Sequence, residues 1–237
     1  MDAEDIFKVV GILFDYLPNT LLLFFFTLLF SIPLGMIVTW LKRRRFKPVA
    51  WLTNLYILVM RGTPLMLQIV AVYYAIPMIV KGVKADGGQM SGFIRVMDDF
   101  MHSENYMFIM LVIAFSLNYA AYFAEIFRGG LDSIPVGQYE AASMLGMTRR
   151  QTFFRIIMPQ VIKRVVPATS NEVIVLVKDT SLATIIAYAE IMLKAKQMMN
   201  TYSSIIPLFI AGLFYFVLNA IVTVVFSMIE KHYNYYH

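Results

Sequence analysis

Glu140-Ala141-Ala142-Ser143-Met144-Leu145-Gly146-Met147-Thr148-Arg149-Arg150-Gln151-Thr152-Phe153-Phe154-Arg155-Ile156-Ile157-Met158-Pro159 is basic and mostly polar, inside a 237-residue chain that is otherwise a string of membrane-length apolar runs. Glu140 to Leu145 are good helix formers. Gly146 can end that helix in a left-handed conformation, and Thr148 can cap the next one. Pro159 is expected to end or kink the second helix, and Pro167 to mark entry into the following apolar run. A helix lying across a membrane surface can pass on a push from a soluble partner as a rigid body. Ala141, Ala142 and Gly146 are small enough to let such a partner approach, and Glu140 can pair with a basic group on it. The plain alternative is a loop whose helices only pack on the bundle.

Outward from this stretch lie five candidate spans, each needing about 20 apolar residues. They are Leu17 to Leu41, Pro64 to Val80, Tyr106 to Phe127, Val166 to Val177 and Ile205 to Ile229. The zone from Trp51 to Val80 is too long for one upright helix, and Arg61-Gly62-Thr63-Pro64 interrupts it. It reads as a short interfacial helix followed by a span. The fourth run contains Asn171 and Glu172, and its polar residues predict a break at Lys178-Asp179-Thr180-Ser181. Residues 81–105, with Asp86-Gly87-Gly88, form an external loop with a short helix around Phe93 to Met101. Residues 128–164 form the polar loop on the opposite side.

Hydrophobic residues make up 59% of the chain and charged residues 15%, against roughly 25% charged in a soluble domain. Lys42, Arg43, Arg44, Arg45, Lys47, Arg61, Arg128, Arg149, Arg150, Arg155, Lys163, Arg164 and Lys231 fall on one side of the five spans. Lys8, Lys81, Lys84, Arg95, Lys194 and Lys196 fall on the other. The first side is therefore cytoplasmic, the N-terminus outside and the C-terminus inside. The acidic start Met1-Asp2-Ala3-Glu4-Asp5 does not resemble a removable signal peptide. Cysteine is absent, and His102, His232 and His237 have no ligand spacing, so neither a disulfide framework nor a metal site is expected. No basic soluble surface for nucleic acid is evident.

The string Glu140-Ala141-Ala142, Gly146, Phe154, Ile156 and Pro159 resembles the EAA loop by which membrane subunits of ABC importers dock onto their ATPase. Arg61-Gly62-Thr63-Pro64-Leu65 with Gln68 resembles the RGTPL-Q stretch of polar amino-acid permeases. The segment Asn118-Tyr119-Ala120-Ala121-Tyr122-Phe123-Ala124-Glu125 through Gly130 matches that family too, and Asn171-Glu172 and Lys178-Asp179-Thr180-Ser181 follow in order. The chain is thus identified, from about Thr20 to Glu230, as similar to the histidine/glutamine/arginine permease subunits of type I ABC importers. The resemblance implies an all-α membrane protein of the bacterial cytoplasmic (inner) membrane with a five-helix permease core. It implies two ABC ATPase subunits that bind ATP and Mg, a second permease subunit, identical or homologous, and an extracytoplasmic solute-binding protein. No cofactor is expected on this chain, and no catalysis. The loop 85–105 is longer than the family minimum.

Ionisable groups within spans are functional candidates. Asn118, Tyr122 and Glu125 share one face of the third span, and Glu172 and Asp179 one face of the fourth, with Asn171 and Lys178 on an adjacent stripe. Glu172 with Asn171 suits the ammonium or cationic side chain of an amino acid, and Asn118 with Tyr122 its orientation. Alternatively, Glu172 caps an interrupted helix or pairs with Lys178, and Glu125 sits at the cytoplasmic interface beside Arg128. Asp179 has a structural reading, capping a half-helix from Ser181 at the outer mouth, and a gating one. Arg61 reads as an interfacial anchor, with gating as its other role. The competing function is a self-powered secondary transporter or channel, for which internal repeats are missing. An intramembrane enzyme lacks an in-span histidine or cysteine, and no G-x-x-x-x-G-K-[ST] loop is present.

Overall fold

The computed structural model describes residues 1–85 and 91–233, and every regular element among them is helical. Asp86-Gly87-Gly88 and His237 lie outside the described residues. Helix α1 runs Ala3–Lys42, α2 Lys47–Gly62, α3 Leu65–Ala85, α4 Gly92–Met101 and α5 Tyr106–Asp132. Then come α6 Val136–Met144, α7 Arg149–Thr152, a π-helical turn Phe153–Ile157, and α8 Met158–Asp179. A 3-10 turn Thr180–Ile186, α9 Ile191–Tyr202 and α10 Ile206–Tyr233 complete the chain. Four helices, α1, α3, α5 and α10, are long and apolar enough to cross a membrane. Helix α8 is not among them; Lys163, Arg164, Glu172 and Asp179 lower its hydropathy.

Helix α5 is the axis of the bundle. Of its most apolar 18-residue stretch 67% is buried, against 6% for α10, whose surface is left for lipid or partners. It packs along α1 because small residues bring the backbones together. Ala120, Ala121 and Ala124 are fully buried, and a Cβ on Gly35 would sit 2.8 Å from Phe123 Cβ and 3.3 Å from the Ala124 nitrogen. Close packing of this kind is the main attraction between helices in lipid, where no hydrophobic drive operates between them. Thr39 adds a cross-helix bond, its hydroxyl donating to the Ala124 carbonyl at 3.0 Å.

Helix α1 is longer than the apolar run that announced it. Its 40 residues span about 60 Å, twice a bilayer core. Asp5, Lys8 and Asp15 interrupt the run before Leu17, yet Val9 and Leu13, four apart on one face, are buried against Ile191 and Ala195 of α9 and Ala211 of α10. Pro167 also departs from expectation: it lies inside α8 and does not open it. Pro159 stands at the first turn of α8, directly after the π turn. A proline within a helix removes one bond and crowds the carbonyl four residues back; the wider π turn takes up that misfit, so the helix continues.

Candidate functional site

The first site begins at the break between α2 and α3. Pro64 has no N–H to offer the Met60 carbonyl, and the chain is extended at Thr63 (φ −119°, ψ 149°). Carbonyls freed within a membrane must find other donors. Asn118 Nδ2 donates to the Met60 carbonyl and to Gln68 Oε1, both at 2.9 Å. Gln68 Nε2 reaches the Met60 carbonyl at 3.0 Å, the Thr63 carbonyl at 3.1 Å and Thr63 Oγ1 at 2.8 Å. Tyr56 closes the set, donating to the Leu117 carbonyl at 2.5 Å. The break therefore rests against the middle of α5. Asn118 is buried and its N–H groups serve the break; it is not free to orient a ligand.

On the α2 side of this plug lies a cleft of about 470 Å³ lined by Lys42, Asn54, Ile57, Leu58, Arg61, Gly62, Tyr122 and Glu125. Arg61 is exposed to it, its guanidinium 5.3 Å from the Tyr122 ring centre, so it is a cleft residue. The Arg61 and Asp179 charges both act on Glu172, half-buried on α8. Arg61, Tyr122 and Glu125 line one space, while Glu172 stands on α8 outside that lining. Asn171 and Lys178 are outside it too; both are exposed elsewhere on α8, and no ion pair joins Lys178 to Glu172 among the described residues.

Glu125 is tied at the end of the cleft. Lys42 Nζ lies 2.6 Å from its Oε1 and Arg128 Nη2 2.7 Å from its Oε2. Arg128 continues to Asp132 at 2.8 Å, and Asp132 also holds Arg43. These pairs clamp the ends of α1 and α5. Asp179 accepts from Tyr119 Oη at 2.7 Å and caps nothing. Helix α8 passes directly into the 3-10 turn, where Thr180 and Ser181 hydroxyls donate back to the Val177 and Lys178 carbonyls at 2.7 Å. The half-helix expected from Ser181 starts ten residues later, at Ile191.

The residue that caps α9, Glu190, escaped the sequence reading. Fully buried, it accepts from the Met192 and Leu193 amides at 2.9 Å and from Tyr215 Oη at 2.6 Å. Asn19 Nδ2 holds the Ala189 carbonyl at 2.7 Å. An acidic residue ahead of an apolar run was the available signal, but glutamate is not a preferred cap.

The second site is the surface helix α6. Gly146 takes φ +71°; its amide donates to the Ser143 carbonyl at 3.0 Å and that of Met147 to the Ala142 carbonyl at 3.1 Å. That pair of bonds is the Schellman termination. Thr148 then caps α7, its hydroxyl accepting from the Gln151 amide at 3.3 Å. Glu140, Ala141, Gly146, Phe154 and Pro159 are exposed, and Met144 and Leu145 present 88% and 78% of their surface. Ala142 is the exception. At 1% exposure it packs α6 onto its own subunit, on α7 and the π turn, so it offers no partner contact. Beneath the loop Ile134, Ile157, Val161 and Val165 form a small core, and Arg164 donates to the Ser133 carbonyl.

Residues 31–235 match the family described as binding-protein-dependent transport system inner membrane component. The chain is similar to the arginine transport system permease protein ArtQ of Bacillus subtilis (strain 168), with 34% identity over 232 residues, 98% of this chain and 96% of that protein. It is similar to the octopine transport system permease protein OccM of Rhizobium radiobacter, with 37% identity over 211 residues, 85% of this chain and 79% of that one. Among solved structures, a crystal structure of an amino acid ABC transporter with histidines superposes with a TM-score of 0.78 and 29% identity, covering 98% of this chain and 99% of that one. An inward-facing MetNI methionine ABC transporter shares the fold, with a TM-score of 0.63 at 16% identity over 99% of this chain and 100% of that one.

Proposed function

We propose that this chain, which belongs to the family of binding-protein-dependent transport system inner membrane components, is the permease subunit of an ATP-driven importer of polar or charged amino acids. One observation carries the reading: a capped, partner-facing helix, α6, is joined through the π turn to α8, the helix that bears Glu172. A push on Glu140, Ala141, Gly146 or Phe154 is delivered to the helix that carries Glu172.

In this account the chain crosses the bacterial cytoplasmic membrane five times, through α1, α2 with α3, α5, α8 and α10. The distribution of lysine and arginine supports an N-terminus outside and a C-terminus inside. Two ATPase subunits bind ATP and Mg and grip α6. A second permease subunit, identical or homologous, closes the cleft from the other side, and an external binding protein delivers the amino acid. Closure of the ATPases moves the docking helices together and opens the cleft outward; hydrolysis resets it. Glu172 takes the substrate ammonium or cationic side chain, Tyr122 orients it, and Arg61 supplies the opposite charge. Asn118 acts on this site by holding the α2–α3 break, while Glu125, with Lys42 and Arg128, is a cytoplasmic gate. No bond of the substrate is made or broken here.

The test is ATP hydrolysis by the reconstituted complex with its binding protein, loaded in turn with a panel of amino acids. Stimulation by a few of them, lost in Glu140→Lys, is expected. Hydrolysis indifferent to every amino acid would overturn the substrate class, and full coupling in Glu140→Lys would remove α6 from the mechanism.

A further inference from the structure

At the Lys42 end of the bundle, on the side away from the polar cleft, lies a larger cavity of about 600 Å³ between α1, α5, α8 and α10. Its walls are mostly apolar, with Met36, Phe127, Val165 and Phe226 among them and the hydroxyls of Thr169 and Tyr139 as polar points on α8 and α6. The one threonine it shares with α1, Thr39, spends its hydroxyl on the Gly35 and Ala124 carbonyls at 2.8 and 3.0 Å. Charge is confined to the rim, where Arg43 and Arg44 stand beside Trp40. The Arg44 guanidinium lies over the Trp40 ring, 3.4 Å from its centre. Met36 and Trp40 are more than half exposed, at 53% and 56%, so the cavity opens sideways where a membrane would lie.

The rim is also electrostatically unfinished. Of the cations at this turn, Lys42 and Arg43 share Glu125 and Asp132 with Arg128. Arg44, Arg45 and Lys47 have no carboxylate within ion-pair distance among the described residues. A long apolar slot ending in two arginines and an interfacial tryptophan, open to lipid, matches an amphiphile with one anionic end. A polar solute would find only the Thr169 and Tyr139 hydroxyls along walls that are otherwise apolar. A protein surface would need acidic side chains at membrane depth, where they are costly.

We propose that this cleft binds an anionic phospholipid, with an acyl chain along Met36, Phe127, Val165 and Phe226 and the phosphate against Arg43 and Arg44. Basic pockets between membrane helices take lipid headgroups in this way, and tryptophan prefers the headgroup level. The proposal does not depend on what the transporter carries.

Trp40 reports on the site directly. The chain has two tryptophans, so in Trp51→Phe the sole remaining one stands at the rim. The full-length chain carrying that change is reconstituted in phosphatidylcholine vesicles doped with phosphatidylglycerol or phosphatidylcholine brominated near the headgroup. At equal mole fraction the brominated phosphatidylglycerol is expected to quench Trp40 several-fold more. Arg44→Gln should bring that excess down to the phosphatidylcholine level, and Val166→Phe, which narrows the slot, should lower quenching by both lipids. Arg44 is exposed, so its replacement leaves the fold intact even if the Val166 variant does not assemble. Equal quenching by the two lipids, or an excess that survives Arg44→Gln, overturns the proposal. So does quenching by neither lipid, which would mean that a protein surface covers the cleft. Relief of the excess by inorganic phosphate would show that the arginines hold free phosphate and would overturn it too.

Discussion

Replacing Asn118 by leucine keeps the side-chain volume and removes both donors that seal the α2–α3 break. The Met60 carbonyl retains Gln68 Nε2 at 3.0 Å, whereas Gln68 Oε1 loses the Asn118 amide and has no other donor among the described residues. One buried acceptor left without a donor costs about 1–3 kcal/mol. In lipid the unfolded reference also finds partners, and measured side-chain coupling averages about 0.6 kcal/mol with a maximum near 1.7. The lower range applies here because one of the two acceptors keeps a second donor. Asn118→Leu should therefore cost about 1–2 kcal/mol, and Gln68→Leu more, since Gln68 holds three acceptors. In the double variant the Met60 carbonyl loses its last donor, so the loss should exceed that of Asn118→Leu by about 1–3 kcal/mol. The assay is reversible unfolding of the purified chain in mixed micelles, followed by tryptophan fluorescence. A double variant no less stable than Asn118→Leu, or an unchanged midpoint in Asn118→Leu, would refute the claim that these side chains replace the hydrogen bond denied by Pro64.

Three further outcomes can be measured. Gly35→Val places a branched side chain where Phe123 Cβ would be 2.8 Å away, and overpacking should destabilise the α1–α5 pair by about 1–3 kcal/mol in the same unfolding assay. Glu190→Ala removes the α9 cap, so hydrogen exchange at Met192 and Leu193 should accelerate, with a local loss of about 0.5–2 kcal/mol and no change at the α6 amides. Glu140→Lys, on an exposed position, should leave the unfolding midpoint within about 0.5 kcal/mol of wild type while uncoupling hydrolysis from substrate; a large stability loss would make Glu140 structural.

Local signals carried most of what was legible in the sequence. Gly146 and Thr148 stop one helix and start the next without help from elsewhere in the chain, and both do so as their chemistry requires. The break at Thr63-Pro64 was equally visible, but not what seals it. Nothing local to Arg61 and Pro64 shows that Asn118, 50 residues beyond Gln68, bonds across the break. Ala142 was misassigned for a related reason: its size shows that something approaches closely, but not whether that is a partner or its own subunit. Glu190 was hidden because its hydroxyl partner comes from Tyr215 on another helix. The first turns of α1 were hidden because charges interrupt an apolar run that only α9 and α10 complete. Each miss is a tertiary contact overriding a local pattern.

Transport itself is the most direct measurement. Proteoliposomes holding the full complex, with ATP available to the ATPases and the loaded binding protein on the opposite face, are assayed for uptake of labelled amino acid. The account predicts uptake that needs ATP, the ATPase and the binding protein together, and that falls to background in Glu140→Lys. Uptake that persists without the ATPase and follows an ion gradient would contradict it, and would make this chain a self-powered carrier.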